Sequence, residues 1–573
     1  MALVGERVAD AIAAAGTDLV FGLLSSSNLR IMSRLVCQHG ARFYNVRHEA
    51  AAVGMADGYA RATGRVGVAS VTQGPGFTNA LTALITAQRA SSPVVLFAGD
   101  TSAIAVADNP FSALVQGLDQ ERVLAALGIT TVRLSGATAE RAIAEAFELA
   151  RRRGPVVVLF PSQLQHRREA ALAPGEPAPG LAVPGGPAPG LAVPGEPAPG
   201  VAVGPVLPPE WRESPPLTDP AALARAGEIL ASSSRLVILA GRGAVEADAG
   251  ATLMALADRT GALLATTVRA AGLFTGHPYD LGTAGGFARP ATAELLRRAD
   301  CILACGASLN PFTLRNGLGE ADAQFIHCDR DPAAIGRFLP PEQALVGDVG
   351  AVTRLLLEQL PSTGSPSWRA EAAAVLAHGD AADEVDAVAE AGTVDPRQLC
   401  RRLDALLPPE RVVVTDSGYC TLFPVEYLRV TQPRNLLFTI DFGAVGSGIG
   451  PAMGAALGRP GTPVVLFVGD GGLLMTLGEL DTAQRYAIPL LIVCLNDRAY
   501  GAEVREADRH GLPATLATFP GTKDLAGIAQ AIGVPGHTVR DLADLADVPR
   551  LVADLRGPYL LDCRIPTVSS RVH

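Results

Sequence analysis

The sequence predicts three α/β domains, each built on a doubly wound parallel sheet. Three observations lead there. The chain has 573 residues, more than one hydrophobic core organises. Apolar runs of strand length alternate with amphipathic stretches and stop at glycine or an acid. Residues 464–468 (Val-Val-Leu-Phe-Val) end at Gly469-Asp470-Gly471-Gly472, and residues 490–495 (Leu-Leu-Ile-Val-Cys-Leu) end at Asn496-Asp497. A right-handed crossover makes such strands parallel neighbours. Finally, two stretches of unusual composition divide the chain, placing domains at 1–165, 215–362 and 394–573, with linkers at 166–214 and 363–393.

The first domain opens with an acidic and apolar helical pattern over residues 1–16. It lacks a basic leader and a cleavage site, so no signal peptide is expected. Further on come His48-Glu49-Ala50-Ala51-Ala52, then Asp57-Gly58-Tyr59-Ala60-Arg61, then Thr72-Gln73-Gly74-Pro75-Gly76-Phe77-Thr78-Asn79. Taken alone, Glu49 reads as a surface acid favoured by a helix dipole. The linker holds three tandem decamers over 174–203, beginning Pro-Gly-Glu-Pro-Ala-Pro-Gly-Leu-Ala-Val. Proline and glycine at this density build neither a helix nor an inner strand, which predicts an extended connector. The middle domain begins with an apolar run at 236–240 and Gly241-Arg242-Gly243-Ala244. A third glycine at dinucleotide-fingerprint spacing is missing.

The third domain carries the densest chemistry. Neighbouring strands lie about 5 Å apart, so Asp470 and Asp497 at adjacent strand ends can share one cation. Glycines there allow backbone N–H groups to approach a diphosphate, and hard oxygen ligands beside phosphate suit Mg²⁺. Thr476-Leu477-Gly478-Glu479 has capping-box spacing and predicts a helix start. Two more elements precede it: a run at 412–415 ending in Asp416-Ser417-Gly418, and Phe442-Gly443-Ala444-Val445-Gly446-Ser447-Gly448.

Composition bounds the function. The chain is 48% hydrophobic and 18% charged, with a net charge of −10 and no basic run, which argues against nucleic acid. No apolar run is long enough for a membrane span. Eight cysteines are scattered without a Cys-x-x-Cys pair, the pattern of free thiols in a reducing cytoplasm.

Together these motifs resemble the thiamine-diphosphate (ThDP) enzymes, across nearly the whole chain apart from the 166–214 linker. The family comparison is to acetohydroxyacid (acetolactate) synthases, benzaldehyde lyase and benzoylformate decarboxylase. The resemblance implies a pyrimidine-binding first domain, a middle domain and a diphosphate-binding third domain. It implies ThDP and Mg²⁺ as cofactors. Asp470, Asp497 (where the family has a second asparagine) and the carbonyl of Ala499 would be metal ligands. Ser417, Gly418, Gly471 and Gly472 would lie along the diphosphate, with Gly472 replacing a common serine. Gly443 would accept from the 4′-amino group, and Val445 would wedge the cofactor into its bent shape. Glu49 would share a proton with the pyrimidine N1′, promoting chemistry through a thiazolium ylide and enamine.

The substrate end is less defined. Ser26 and Ser27 follow the Phe21-Gly22 strand end and face the pocket by resemblance, or else cap a helix. Gln116 and Gln120 resemble the glutamine-bearing loop of synthases and benzaldehyde lyase, while Asp119 replaces the expected phenylalanine. His277 is a further candidate contact, or a structural histidine before Pro278. No paired histidines follow Gly99-Asp100, as pyruvate decarboxylases would have. The resemblance therefore implies a synthase- or lyase-like carboligase acting on a 2-oxo acid, with a second carbonyl as acceptor. A non-oxidative 2-oxo acid decarboxylase and a non-catalytic ThDP-binding homologue are the alternatives. FAD in the middle domain is compatible with the resemblance but not indicated by these residues. A homodimer or homotetramer is implied, since in the family the first domain of one subunit meets the third domain of its partner.

If 174–203 is only a connector, replacing it with a shorter Gly/Ser segment that still spans the gap leaves folding and activity intact, because loop length changes closure entropy slowly. Loss of the thermal transition in that variant would show that the repeat packs against a domain.

Overall fold

The computed structural model describes residues 2–101, 115–168, 219–361, 366–385, 390–519, 521 and 524–567. The decamer repeat lies outside them. The chain falls into two compact units. One carries the first sheet; the other carries the second and third sheets together with residues 58–64.

The first sheet comprises β1 (Leu19–Gly22), β2 (Arg42–Asn45), β3 (Gly67–Val71), β4 (Val94–Asp100), β5 (Thr130–Arg133) and β6 (Val156–Pro161). All pairings are parallel, in the order β2-β1-β3-β4-β6-β5. In the other unit, the second sheet comprises β7 (Leu236–Ala240), β8 (Leu263–Thr266), β9 (Asp280–Thr283), β10 (Cys301–Cys305), β11 (Gln324–Asp329) and β12 (Gln343–Val346). Its order is β12-β11-β10-β7-β8-β9, again all parallel. The third comprises β13 (Val412–Thr415), β14 (Leu436–Phe438), β15 (Val464–Gly469), β16 (Leu490–Asn496), β17 (Gly536–Val539) and β18 (Pro558–Arg564). Its parallel order, β14-β13-β15-β16-β18-β17, repeats the topology of the first. In both, the strand order reverses beside the first strand, between β1 and β3 and between β13 and β15. Ligands of open α/β sheets bind at that switch point, outside the strand C-termini.

Burial explains the strand sequences. Strands β3, β4 and β16 are buried along their whole length, as helices on both faces require, and so read as continuous apolar runs. In the third sheet Val465, Phe467, Leu491, Val493 and Leu495 point into one core with Leu399, Leu403 and Phe423. All cysteines except Cys37 are buried, and all are free thiols. No described helix is long and apolar enough to cross a membrane.

Three sequence expectations are revised. The capping box at Thr476 does not form. The helix begins at Asp470 directly after β15, breaks at Thr476 and resumes at Gly478 with no side-chain cap. The Thr476 hydroxyl instead donates back to the Gly472 carbonyl, 3.1 Å away. Most of the second connector is also not open chain: Pro366–Val385 is a helix, and Trp368 is buried against the second sheet with its indole N–H donating to the Leu236 carbonyl. Its alanine-rich sequence is a strong helix former, and one tryptophan anchors it. The serine stretch after β1 is bound by its side chains rather than serving as a helix cap: Asn28, at the cap position, makes no capping bond and instead accepts from the Ser25 N–H.

The Gly241-Arg242-Gly243 turn is closed by the end of β10. The N–H groups of Gly241 and Gly243, which a diphosphate would need, donate to the carbonyls of Cys305 and Gly306 at 2.9 and 3.0 Å.

A buried ion cluster ties the second unit together. The Asp441 carboxylate is 1% exposed and accepts from Arg61 at 2.7 Å and from Arg269, while Arg61 also donates to the Phe438 carbonyl. Removing the acid takes a buried anionic partner from two arginines. Asp441→Ala should destabilise this unit by about 3 kcal/mol. Urea unfolding followed by Trp368 fluorescence would show the shift, and an unchanged midpoint would contradict it.

Candidate active site

At the C-terminal ends of β13, β15 and β16, three loops meet within the second unit. The first turns on Asp416, which follows β13 and is fully buried. Its carboxylate accepts from the N–H of Gly446 at 2.9 Å and of Gly448 at 3.1 Å, pinning the loop that carries Gly443 and Val445. Burial pushes the Asp416 carboxyl up to about 6, and N–H donors from Ser417, Gly446, Ser447 and Gly448 oppose that rise. Because the folded value lies above the ordinary 3.8, the folded protein holds extra proton between the two, and its stability falls as pH rises through that window. Gly443 and Gly446 have φ of 76° and 80°, the left-handed region that glycine adopts without strain. Val445, 39% exposed, projects from the loop.

The second loop is Gly469-Asp470-Gly471-Gly472. Side chains cannot be added at Gly471 or Gly472 without displacing neighbours. A Cβ on Gly472 would sit 2.2 Å from Asp416 Oδ2, and one on Gly471 would sit 2.6 Å from the Tyr500 ring. The Asp416 carboxylate thus takes the space where the family's serine side chain would begin.

The third loop follows β16. Asn496 turns away and donates to Asp562 at 2.8 Å, leaving Asp497 to face Asp470. Asp497 Oδ1 accepts from the Ala499 N–H at 3.1 Å, and its carbonyl accepts from Thr567. Arg498 between them has φ of 62°, an uncommon conformation for a non-glycine, held here by bonds to Thr567 and Glu390. Asp470 and Asp497 are each 5% exposed and lie close enough that their titrations are linked. Burial raises both carboxyls, Asp470 to about 6 and Asp497 well above its ordinary value, the latter further driven by the neighbouring acid. Asp470 Oδ1 is buried without a hydrogen-bond partner. A pair of acids with an unused, inward oxygen fits a divalent cation. Among the described residues no three His, Cys, Asp or Glu side chains form a metal cage, so a cation here would take two carboxylates, a backbone carbonyl and oxygens from outside the protein.

The other unit gathers a second cluster at the ends of β1, β3 and β4. Glu49 begins the helix Glu49–Thr63, is half-buried, and accepts from Asn79 Nδ2 at 3.0 Å. Ser27 is buried, with its hydroxyl 2.7 Å from that of Ser25 and 3.3 Å from that of Thr72. Ser26 is exposed, and its carbonyl accepts from Gln165. Gln73 Oε1 accepts from Thr72 and Ser162, and its amide donates to Gln116 Oε1 at 2.7 Å. Gln120 is spent on the backbone: it accepts from the Gly74 N–H and donates to the Gly99 carbonyl. It braces the Gly74 turn and leaves Gln116 as the glutamine with a side chain on the polar cluster. His277 joins neither cluster by any bond described. Its ring accepts from the Tyr279 N–H and lies 3.3 Å from Asp258 of the helix Gly250–Thr260. Sequence reasoning missed Asp416, Gln73, Asn79 and Ser162, though the first three stand inside motifs it singled out.

Known protein families decide what these loops belong to. Residues 3–127 match the N-terminal TPP-binding domain of thiamine pyrophosphate enzymes, 223–356 the central domain and 416–563 the C-terminal TPP-binding domain. The chain is a thiamine pyrophosphate enzyme. It is 28% identical to the acetolactate synthase of Mycobacterium bovis, over 96% of this chain and 85% of that one. It is 28% identical to the large subunit of acetolactate synthase isozyme 2 from Escherichia coli, over 98% and 95%. Similarity to the sulfoacetaldehyde acetyltransferase of Rhodobacter capsulatus is of the same order, 29% over 93% and 89%. In a thiamine pyrophosphate enzyme, both clusters fall within the two TPP-binding domains.

Asp416 should therefore matter to cofactor binding through the loop it pins. Asp416→Ala leaves two loop N–H donors unsatisfied, costing about 1–3 kcal/mol, or about ten- to a hundredfold in ThDP affinity. Asp416→Asn keeps one acceptor and should fall between. Calorimetric titration of ThDP checks the series, and equal affinities in all three proteins would refute the pinning role.

Proposed function

We propose that this enzyme forms or cleaves a C–C bond next to the carbonyl of a 2-oxo acid, as a carboligase resembling acetolactate synthases, with ThDP and Mg²⁺. The observation that carries the cofactor reading is the buried Asp470–Asp497 pair with its unpartnered Oδ1. ThDP, when bound, supplies an electron sink for a carbanion formed beside a carbonyl.

The chain's own groups divide the remaining work. Asp470, Asp497 and the Ala499 carbonyl would hold Mg²⁺. The Ser417 hydroxyl and backbone donors at Gly418, Gly471 and Gly472 would face the diphosphate, where glycine permits close approach. The Gly443 carbonyl would accept from the 4′-amino group, and Val445 would give an apolar support. Glu49 would hold and return a proton at N1′, the role its half-exposed carboxylate suits. Ser27 and Gln116 would orient the substrate through hydroxyl and amide contacts. Carboligation is supported by the names of the relatives, two synthases and an acetyltransferase, and by the absence of a histidine pair after Gly99-Asp100. A two-fold assembly would bring Glu49 of one copy to the metal site of the other.

The test is a panel of 2-oxo acids with ThDP and Mg²⁺, with and without an aldehyde or second 2-oxo acid, analysed by mass spectrometry. Expected are hydroxyketone products that depend on the acceptor. Aldehyde as the sole product, whatever the acceptor, would make the enzyme a decarboxylase instead. Asp470→Ala should lose ThDP retention, and mixing it with Glu49→Gln chains should restore activity, to about half per mixed dimer, if sites are shared between copies.

A further inference from the structure

Glu49 is not free to turn. Its Oε2 accepts from the side-chain amide of Asn79, 3.0 Å away, on the helix Pro75–Arg89. Its other oxygen, Oε1, lies over Gly76, where a Cβ would come to 3.3 Å. The glycine thus clears one oxygen while the asparagine holds the other. Asn79 is otherwise out of place: it is an exposed residue in the second turn of a helix of alanine, leucine and threonine, where asparagine is a poor helix former. Its neighbour Thr78 bonds to its own helix, to the Pro75 carbonyl, whereas Asn79 reaches across to another element. The Gly74 turn that starts the helix is itself fixed by Gln120, so the amide is presented from a braced support.

We propose that Asn79 is the positioning residue for Glu49, locking Oε2 so that Oε1 alone is offered as the proton-sharing oxygen; this rests on the role of Glu49 in the function proposed above. A carboxylate with two free oxygens samples several rotamers, and each one away from the partner lowers the fraction poised to share a proton. A neutral amide fixes the geometry without adding a charge that would compete for the proton.

Asn79→Ala tests this directly, since alanine at an exposed helical site favours the helix and should not lower the melting temperature. The full-length protein, loaded with ThDP and Mg²⁺, is assayed without substrate for exchange of the thiazolium C2 proton with deuterium. Calorimetry gives ThDP affinity in parallel. Expected is exchange slowed about tenfold, the scale of one hydrogen bond to a charged group, with ThDP affinity within about threefold of wild type. In the double variant Asn79→Ala/Glu49→Gln, exchange should match Glu49→Gln alone, because the asparagine acts only through the glutamate. Wild-type exchange in Asn79→Ala, or additive losses in the double variant, would overturn the proposal while leaving Glu49 in place. Wild-type exchange in Glu49→Gln would instead remove the underlying role of Glu49.

Discussion

Asp470 and Asp497 set the terms for the rest of this structure. Two acids at the ends of adjacent strands, both nearly buried, cannot both carry charge without a compensating partner. The strand pairing between β15 and β16 makes the encounter unavoidable, since Gly469 lies opposite Leu495 and each acid comes one or two residues later. The site is therefore intrinsically unfavourable as an isolated feature. It persists because the buried strands β15 and β16 hold the strand ends in place.

Asp416 extends the same constraint sideways. It is a third buried acid, but its charge is met by backbone N–H groups rather than by a cation. Through those bonds the end of β13 dictates the path of residues 443–448, and the oxygen that accepts from Gly446 also fills the space beside Gly472. Three loops from different parts of the sequence are thereby held by one side chain. Glycine at 472 is then a packing requirement of this arrangement, which accounts for a departure from the family pattern that looked from sequence like a lost contact.

The strand ends and their acids were legible because each is announced locally, by an apolar run stopping at glycine or acid, whereas Glu49 was legible only through the resemblance of residues 48–52 to a family motif. What escaped detection depended on partners distant in the chain. The Thr476 spacing matched a capping box, yet the preceding strand runs directly into a helix at Asp470, and Thr476 bonds backwards to Gly472. Gln120 sat in a motif suggestive of substrate contact, but its amide was already matched by Gly74 and Gly99, some 46 and 21 residues away. Pro366–Val385 read as a connector because of its alanine- and acid-rich composition, yet Trp368, Ala372, Val375 and Leu376 form one stripe on the core of the second sheet. Sequence spacing reports the period of an element well and the identity of its partner poorly.

The identical strand order of the first and third sheets has a consequence for how such enzymes diversify. Corresponding corners of two like sheets have taken up unlike chemistry: acids and glycines after β13, β15 and β16, hydroxyls and amides after β1, β3 and β4. Under the function proposed above, the third sheet and Glu49 of the first would serve the cofactor, while Ser27 and Gln116 of the first would meet the substrate, so a change of specificity would need to touch the loops of one sheet only.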